Sequence, residues 1–176
     1  MSHPATTRPD ASEYAAQFGQ YIQLVPAGDI QGFLATQLAD LLALVSGLSD
    51  QQSLAHHAPY SWSIKQVVGH ITDCERIFGY RALRIARGDA TPLSSFDENE
   101  YMRHSKFDRC PFAELLDEFA NVRRSHLAMF KHLQPEAWLR CGVVNDHPAT
   151  ARAFAYAIAG HAQHHLNILH RRLAVG

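Results

Sequence analysis

A chain of 176 residues with 47% apolar and 19% charged residues suits one well-buried domain and is too apolar for intrinsic disorder. Sixteen Lys+Arg against seventeen Asp+Glu leave a net charge of -1, too little field to hold a nucleic-acid backbone. Three cysteines, Cys74, Cys110 and Cys141, with no CxxC pair, exclude a disulfide framework and a zinc ribbon.

The opening Met1-Ser2-His3-Pro4 lacks the basic-then-apolar pattern of a secretory leader. No apolar run nears the roughly 18 residues of a membrane helix. The expectation is a cytoplasmic protein with a small-molecule substrate and neither membrane nor nucleic acid as partner. Residues 1–10 read as a flexible N-terminal tail, and 11–176 as a single domain. From Glu13, the apolar series Tyr14, Phe18, Tyr21, Ile22 and Leu24 predicts a helical lead-in, stopped by Pro26 and Gly28.

Four longer helical patterns follow. The first runs from Asp29 to Ser46, with Phe33, Leu34, Leu38, Leu41 and Val45 on one stripe. The second starts at Ser63, where Ser63 and Gln66 form a capping box, each side chain satisfying an orphan backbone N–H. Its face is Val67, Ile71, Cys74, Phe78, Ala82 and Ile85, and it ends at Arg87 with Gly88 as a left-handed cap. The third opens at Pro111, whose missing N–H costs nothing at a helix start, and is stopped by Pro135. The fourth runs from Thr150, a good N-cap, to Leu173. Strand signals are weak throughout. The predicted fold is all-α: an up-down four-helix bundle with a long crossover, residues 89–110, between its second and third helices.

Twelve histidines are the outlier of the composition. On a wheel of about 100° per residue, His161 and His165 fall in the middle of the fourth helix's apolar stripe, one turn apart. His164 lies on its flank and His170 well outside it. Imidazoles at i and i+4 can share a tetrahedral metal. A third ligand must come from another helix, and His70 qualifies because it shares the face of Val67 and Cys74. Three neutral imidazoles leave a divalent ion one open position, where water or a thiol becomes acidic enough to act near neutral pH. The plainer alternative is a set of hydrogen-bonded core histidines.

Other side chains are weaker candidates. Cys74 offers a soft fourth ligand or is a small buried hydrophobe. His126 points into the third helix's stripe, as a fourth ligand, a pocket donor or a hydrogen-bonded core histidine. Asp73 can orient a ligand imidazole or hold substrate, or be an ordinary exposed carboxylate. The run His161-Ala162-Gln163-His164-His165 lacks the glutamate of HExxH, which argues against a zincin protease. No serine stands in a G-x-S-x-G setting.

These residues resemble a known family. The stretch Trp62-Ser63-Ile64-Lys65-Gln66-Val67-Val68-Gly69-His70-Ile71-Thr72-Asp73, then Glu75-Arg76, is similar to the DinB-like superfamily. So are Tyr80 to Asp89, Thr91-Pro92-Leu93, Phe96-Asp97 and the ending Gly160-His161 with His164-His165. The resemblance spans Glu13 to Arg172. It implies a four-helix bundle holding a divalent metal, zinc or nickel, on His70, His161 and His165. It also implies a homodimer and a role in stress response or detoxification. Relatives are described as metal-dependent hydrolases, or move low-molecular-weight thiols such as bacillithiol and mycothiol, or use glutathione in an isomerase. Many carry Glu directly after the first C-terminal His, where this chain has Ala162.

The expected function is therefore a metal-dependent thiol S-transferase or hydrolase, with Asp73, His126 and His164 lining the pocket and a low-molecular-weight thiol as a possible cosubstrate. The alternative is a non-catalytic, metal- or ligand-binding stress-response module. A fourth protein ligand would favour the module; an exchangeable water would favour the enzyme.

Overall fold

The computed structural model describes residues 3–174. Its α-helices and strands, in chain order, are α1 (Gly19–Ile22), α2 (Ile30–Val45), α3 (Asp50–Ser53), α4 (Ile64–Ala86), α5 (Glu98–His104), α6 (Phe112–Lys131), α7 (Pro135–Leu139), β1 (Cys141–Val144), β2 (His147–Thr150) and α8 (Ala151–Leu173). The four long helices, α2, α4, α6 and α8, build a four-helix bundle. None is long and apolar enough to cross a membrane.

Caps fix where these helices begin. Ser63 Oγ accepts from the Gln66 N–H at 3.1 Å, and Gln66 Oε1 accepts from the Ser63 N–H at 2.9 Å, so the predicted box is present. Asp29 caps α2 through the Gln31 N–H, and Thr150 caps α8 through the Ala153 N–H. Gly88, at φ +79°, ends α4 in the left-handed region that costs glycine little.

α4 packs between α6 and α8, and α2 closes the ring against the same two neighbours. Directions follow from the contacts. Near the start of α4, Lys65 Nζ donates to the Cys110 carbonyl just before α6, and midway Arg123 of α6 bonds Glu75 of α4. These two helices therefore run parallel. α4 opposes α8, since His70 meets His161 and Phe78 meets Phe154. Simple up-down alternation would make α4 and α6 antiparallel. The arrangement is instead two parallel pairs, with segment 87–111 carrying the chain back before α6 starts.

Two apolar clusters fill the bundle. One contains Ile30, Leu34, Cys74, Phe78, Phe130, Trp138, Phe154 and Ile158. The other contains Leu41, Val45, Val67, Ile71, Phe119, Ala162, Leu166 and Leu169. On α4 the boundary falls between Ile71 and Cys74, and on α8 between Ala159 and Ala162. A polar layer crosses the bundle at this level.

Three expectations need correction. The lead-in is not one helix but short 3-10 turns, Ala11–Glu13 and Ala16–Phe18, followed by α1. The segment before α8 forms a hairpin, with Cys141 opposite Thr150 and Val144 opposite His147. Its turn uses Asn145 and Asp146 at positive φ, a conformation these two residue types tolerate. The tail is docked rather than loose. Ala5 is buried, Arg8 donates to the Val25 carbonyl at 2.5 Å, and Arg152 donates to Thr7 Oγ1. The first two residues of the expected tail and the last two of the expected domain lie outside the described residues.

Candidate metal centre

α4 supplies His70, and α8 supplies His161 and His165 one turn apart. The Nε2 atoms of His70 and His161 lie 3.0 Å apart, and those of His165 and His161 lie 3.2 Å apart. All three rings offer a nitrogen within 4.8 Å of the others. A tetrahedral zinc with bonds of about 2.0–2.1 Å holds its nitrogens about 3.3 Å apart, so the spacing suits one small cation.

Hydrogen bonding alone does not account for the arrangement. An imidazole nitrogen carries one in-plane lone pair or one N–H. His161 Nε2 faces two other nitrogens at bonding distance and can satisfy only one of them. A shared cation satisfies all three. The protonation state agrees. Burial, then the neighbouring His164 imidazole, pushes His70 down to about 4. Burial, then neighbouring imidazoles, holds His161 and His165 well below the ordinary histidine range. All three rings are thus neutral at pH 7, as metal ligands must be. The donor set fits a divalent ion.

The site opens on a cleft of about 480 Å³, within the usual size of small-molecule pockets. Trp62 lies against His70 at 4.8 Å between ring centroids. Tyr21 meets His161 and His164 edge-on at 5.4 and 5.5 Å. α1 can bring Tyr21 this close because α8 has Gly160 there. A Cβ at that position would collide with the Tyr21 carbonyl oxygen. Gly160→Ala is expected to cost about 1–3 kcal/mol, as overpacked cores do. It should also displace Tyr21, and a thermal melt with near-ultraviolet circular dichroism checks both.

The remaining candidates separate clearly. His164 lines the cleft, and burial followed by Arg171 lowers its pKa. Cys74 also lines it, with Sγ 3.7 Å from His70 Nε2, but it is not part of the converging set. Burial pushes its thiol far above the ordinary range, so it stays protonated.

Asp73 and His126 do not reach the cleft. Asp73 stands beside Arg76 at 3.5 Å, in a shallow groove with Tyr101, Phe107 and Glu118. Its position three residues after His70 turns it about 60° away on the helix. His126 sits behind α4, its Nδ1 3.5 Å from Glu75, in the space left by Gly79. Gly79 follows His70 by nine residues, about half a revolution, so His126 packs against the opposite face of α4. Ala162 is fully buried in an apolar cluster, away from the ligand face.

Sequence reasoning missed Tyr21, Trp62, Arg81, Phe96 and Glu98, which complete the cleft. A signal existed for Arg81: eleven residues after His70, it returns to within about 20° of the same helix face. Helix phase gave none for Phe96 and Glu98, which come from the irregular segment before α5 and from the first residue of α5.

No curated protein matches the chain. Among solved structures, YfiT from Bacillus subtilis, described as a probable metal-dependent hydrolase with an unusual four-helix bundle topology, has the same fold. It superposes with a TM-score of 0.68 at 18% identity, covering 98% of this chain and 99% of that one. The sequence profile of the DinB superfamily matches residues 34–169, a span that includes His70, His161 and His165. The chain belongs to the DinB superfamily.

Proposed function

We propose that the protein is a metal-dependent enzyme in which His70, His161 and His165 hold one divalent cation, zinc or nickel, and the adjoining cleft presents a small electrophilic substrate to water or to a low-molecular-weight thiol. The supporting observation is the convergence of three neutral imidazole nitrogens at the wall of that cleft. A divalent ion in such a site supplies Lewis-acid activation of water or thiol near neutral pH.

The chain's own residues supply the rest. Trp62 and Tyr21 fix the ligand rings and narrow the space around them. His164, neutral through burial, lines the same cleft and offers a ring nitrogen to take up the nucleophile's proton. The cleft's size selects a small molecule over a polymer. A hydrolase and a thiol S-transferase share this machinery and differ in the nucleophile admitted. Stress response or detoxification is the setting that the family resemblance suggests.

Elemental analysis of untagged protein tests the reading, because an affinity tag would load nickel by itself. We expect about one divalent ion per chain, and a chelator should remove it and lower the melting temperature. Loaded protein should then either hydrolyse members of an ester and amide panel or conjugate thiols to electrophiles. Protein that takes up no ion, with melting indifferent to chelator, would remove the basis of the proposal. Loaded protein inert in both assays would leave a binding module.

A further inference from the structure

Buried cations in this chain normally meet a carboxylate. Arg123 pairs with Glu75, Arg152 with Glu13 and Lys65 with Asp50. Arg81 does not. Only 5% of it is exposed, yet among the described residues no carboxylate lies within ion-pair distance. One N–H goes to the Ser94 carbonyl at 2.7 Å. The faces of Phe96 and Phe154 lie 5.5 and 5.8 Å from the guanidinium carbon. Among the described residues Nε and Nη1 have no hydrogen-bond partner, and the side chain lines the three-histidine cleft. Arg172, also buried with no carboxylate partner among the described residues, is held elsewhere by the Ala55 carbonyl and the Tyr60 ring.

A buried charge without a counter-ion is costly, and a guanidinium keeps its charge at any working pH. The cost is offset when an anion arrives. The planar fork suits an oxyanion, which it can take through two parallel N–H bonds. The surroundings describe the rest of the ligand. Phe78 stands between the two ends of the cleft, its ring 6.5 Å from Phe96 and 5.8 Å from His161. Among the described residues the cleft's one acidic side chain, Glu98, is exposed at its rim and does not pair with Arg81.

We propose that Arg81 is the anion-recognition residue of the cleft: it receives the carboxylate or phosphoryl group of a small ligand whose apolar body lies along Phe96 and Phe78, with the far end at the three imidazoles. The last clause rests on the functional reading above; the anion site itself does not.

Calorimetric titration with benzoate, phenyl phosphate and the neutral benzamide tests this, on metal-loaded and on chelator-treated protein. At least one anion should bind about tenfold or more tighter than benzamide in both preparations, as expected for a charge-assisted pair. Which anion wins identifies the class. Arg81→Met should abolish the preference, while Arg81→Lys, which keeps charge but loses the fork, should retain part of it. Equal binding of anions and benzamide by chelated wild-type protein would overturn the proposal. So would a preference that vanishes on chelation, which would place the anion on the metal. A folded Arg81→Met protein with undiminished preference would do the same. Should that variant fail to fold, the chelated wild-type comparison decides alone. Protein that binds no metal but still prefers anions would separate failure of the metal reading from failure of this one.

Discussion

His161→Ala is expected to empty the site. Its Nε2 is the nitrogen closest to both others, 3.0 Å from His70 and 3.2 Å from His165. Without it, the remaining pair lacks the third donor that a stable divalent site requires. Losing groups that merely orient a ligand already costs about 10–100-fold in metal affinity, so losing the central ligand should cost more than that. Metal content should fall from about one ion per chain to near zero, and activity should fall with it. Melting supplies a second readout. An ion present at 100 times its Kd stabilises the fold by about 2.7 kcal/mol. Chelator should therefore shift the wild-type melt and leave that of His161→Ala unmoved. The fold itself should survive, because this stretch of α8 is already rich in alanine and glycine, from Ala151 to Ala162. His164→Ala is the control: it lines the cleft outside the ligand set, so it should keep the ion while losing rate, by about 10²-fold or more if it takes the proton. Full metal content in His161→Ala would disprove the three-imidazole site.

The helical skeleton was legible because its signals are local. Ser63 with Gln66, Gly88, Pro111, Thr150 and the apolar stripes each act within one or two turns. The three histidines were legible for the same reason, since helix phase alone puts His161 and His165 together and His70 on an inward face. What escaped depends on how helices sit beside one another. Periodicity says nothing about direction, so the parallel course of α4 and α6 left no trace in the pattern. His126 shows the same limit. Its own stripe points inward, but only the placement of α6 against Gly79 decides that inward means the rear of α4. The hairpin at 141–150 carries too few residues for an alternating signal, and its Asn145-Asp146 turn is readable only once a strand is suspected. Helix phase puts Arg81 near the face of His70 but cannot tell a buried guanidinium from a solvated one; its burial without a carboxylate partner among the described residues singled it out.

Arg123→Met is expected to be the most damaging substitution outside the metal centre. Arg123 is fully buried, and it ties all four long helices at the level of the site. It bonds Glu75 on α4 and donates to the Leu34 carbonyl and Gln37 Oε1 on α2, at 2.9 and 3.0 Å. Gln37 in turn donates to the Ala159 carbonyl on α8 at 2.9 Å. Removing one partner of a buried pair strands the other charge, at a cost of about 3–5 kcal/mol. For a chain of this length that is a fall in melting temperature of roughly 10 °C. The double variant Glu75→Gln with Arg123→Met removes the stranded charge and should recover more than half of the loss.

Acid provides the distinguishing signature. Burial alone would raise the Glu75 carboxyl, but Arg123 and the hydrogen bonds around it outweigh burial and hold it below the ordinary 4.5. A carboxyl depressed in the fold contributes stability that is complete above its unfolded value and is lost as pH falls through the folded one. Wild-type protein should therefore weaken on acidification below about pH 4.5 through this group. In Arg123→Met burial, the largest influence, is opposed only by His126, so the folded carboxyl rises relative to wild type: protonation relieves part of the stranded charge, and the deficit against wild type should narrow as pH falls. A deficit that stays constant from pH 7 to pH 4 would mean that lost shape, not the stranded carboxylate, sets the cost.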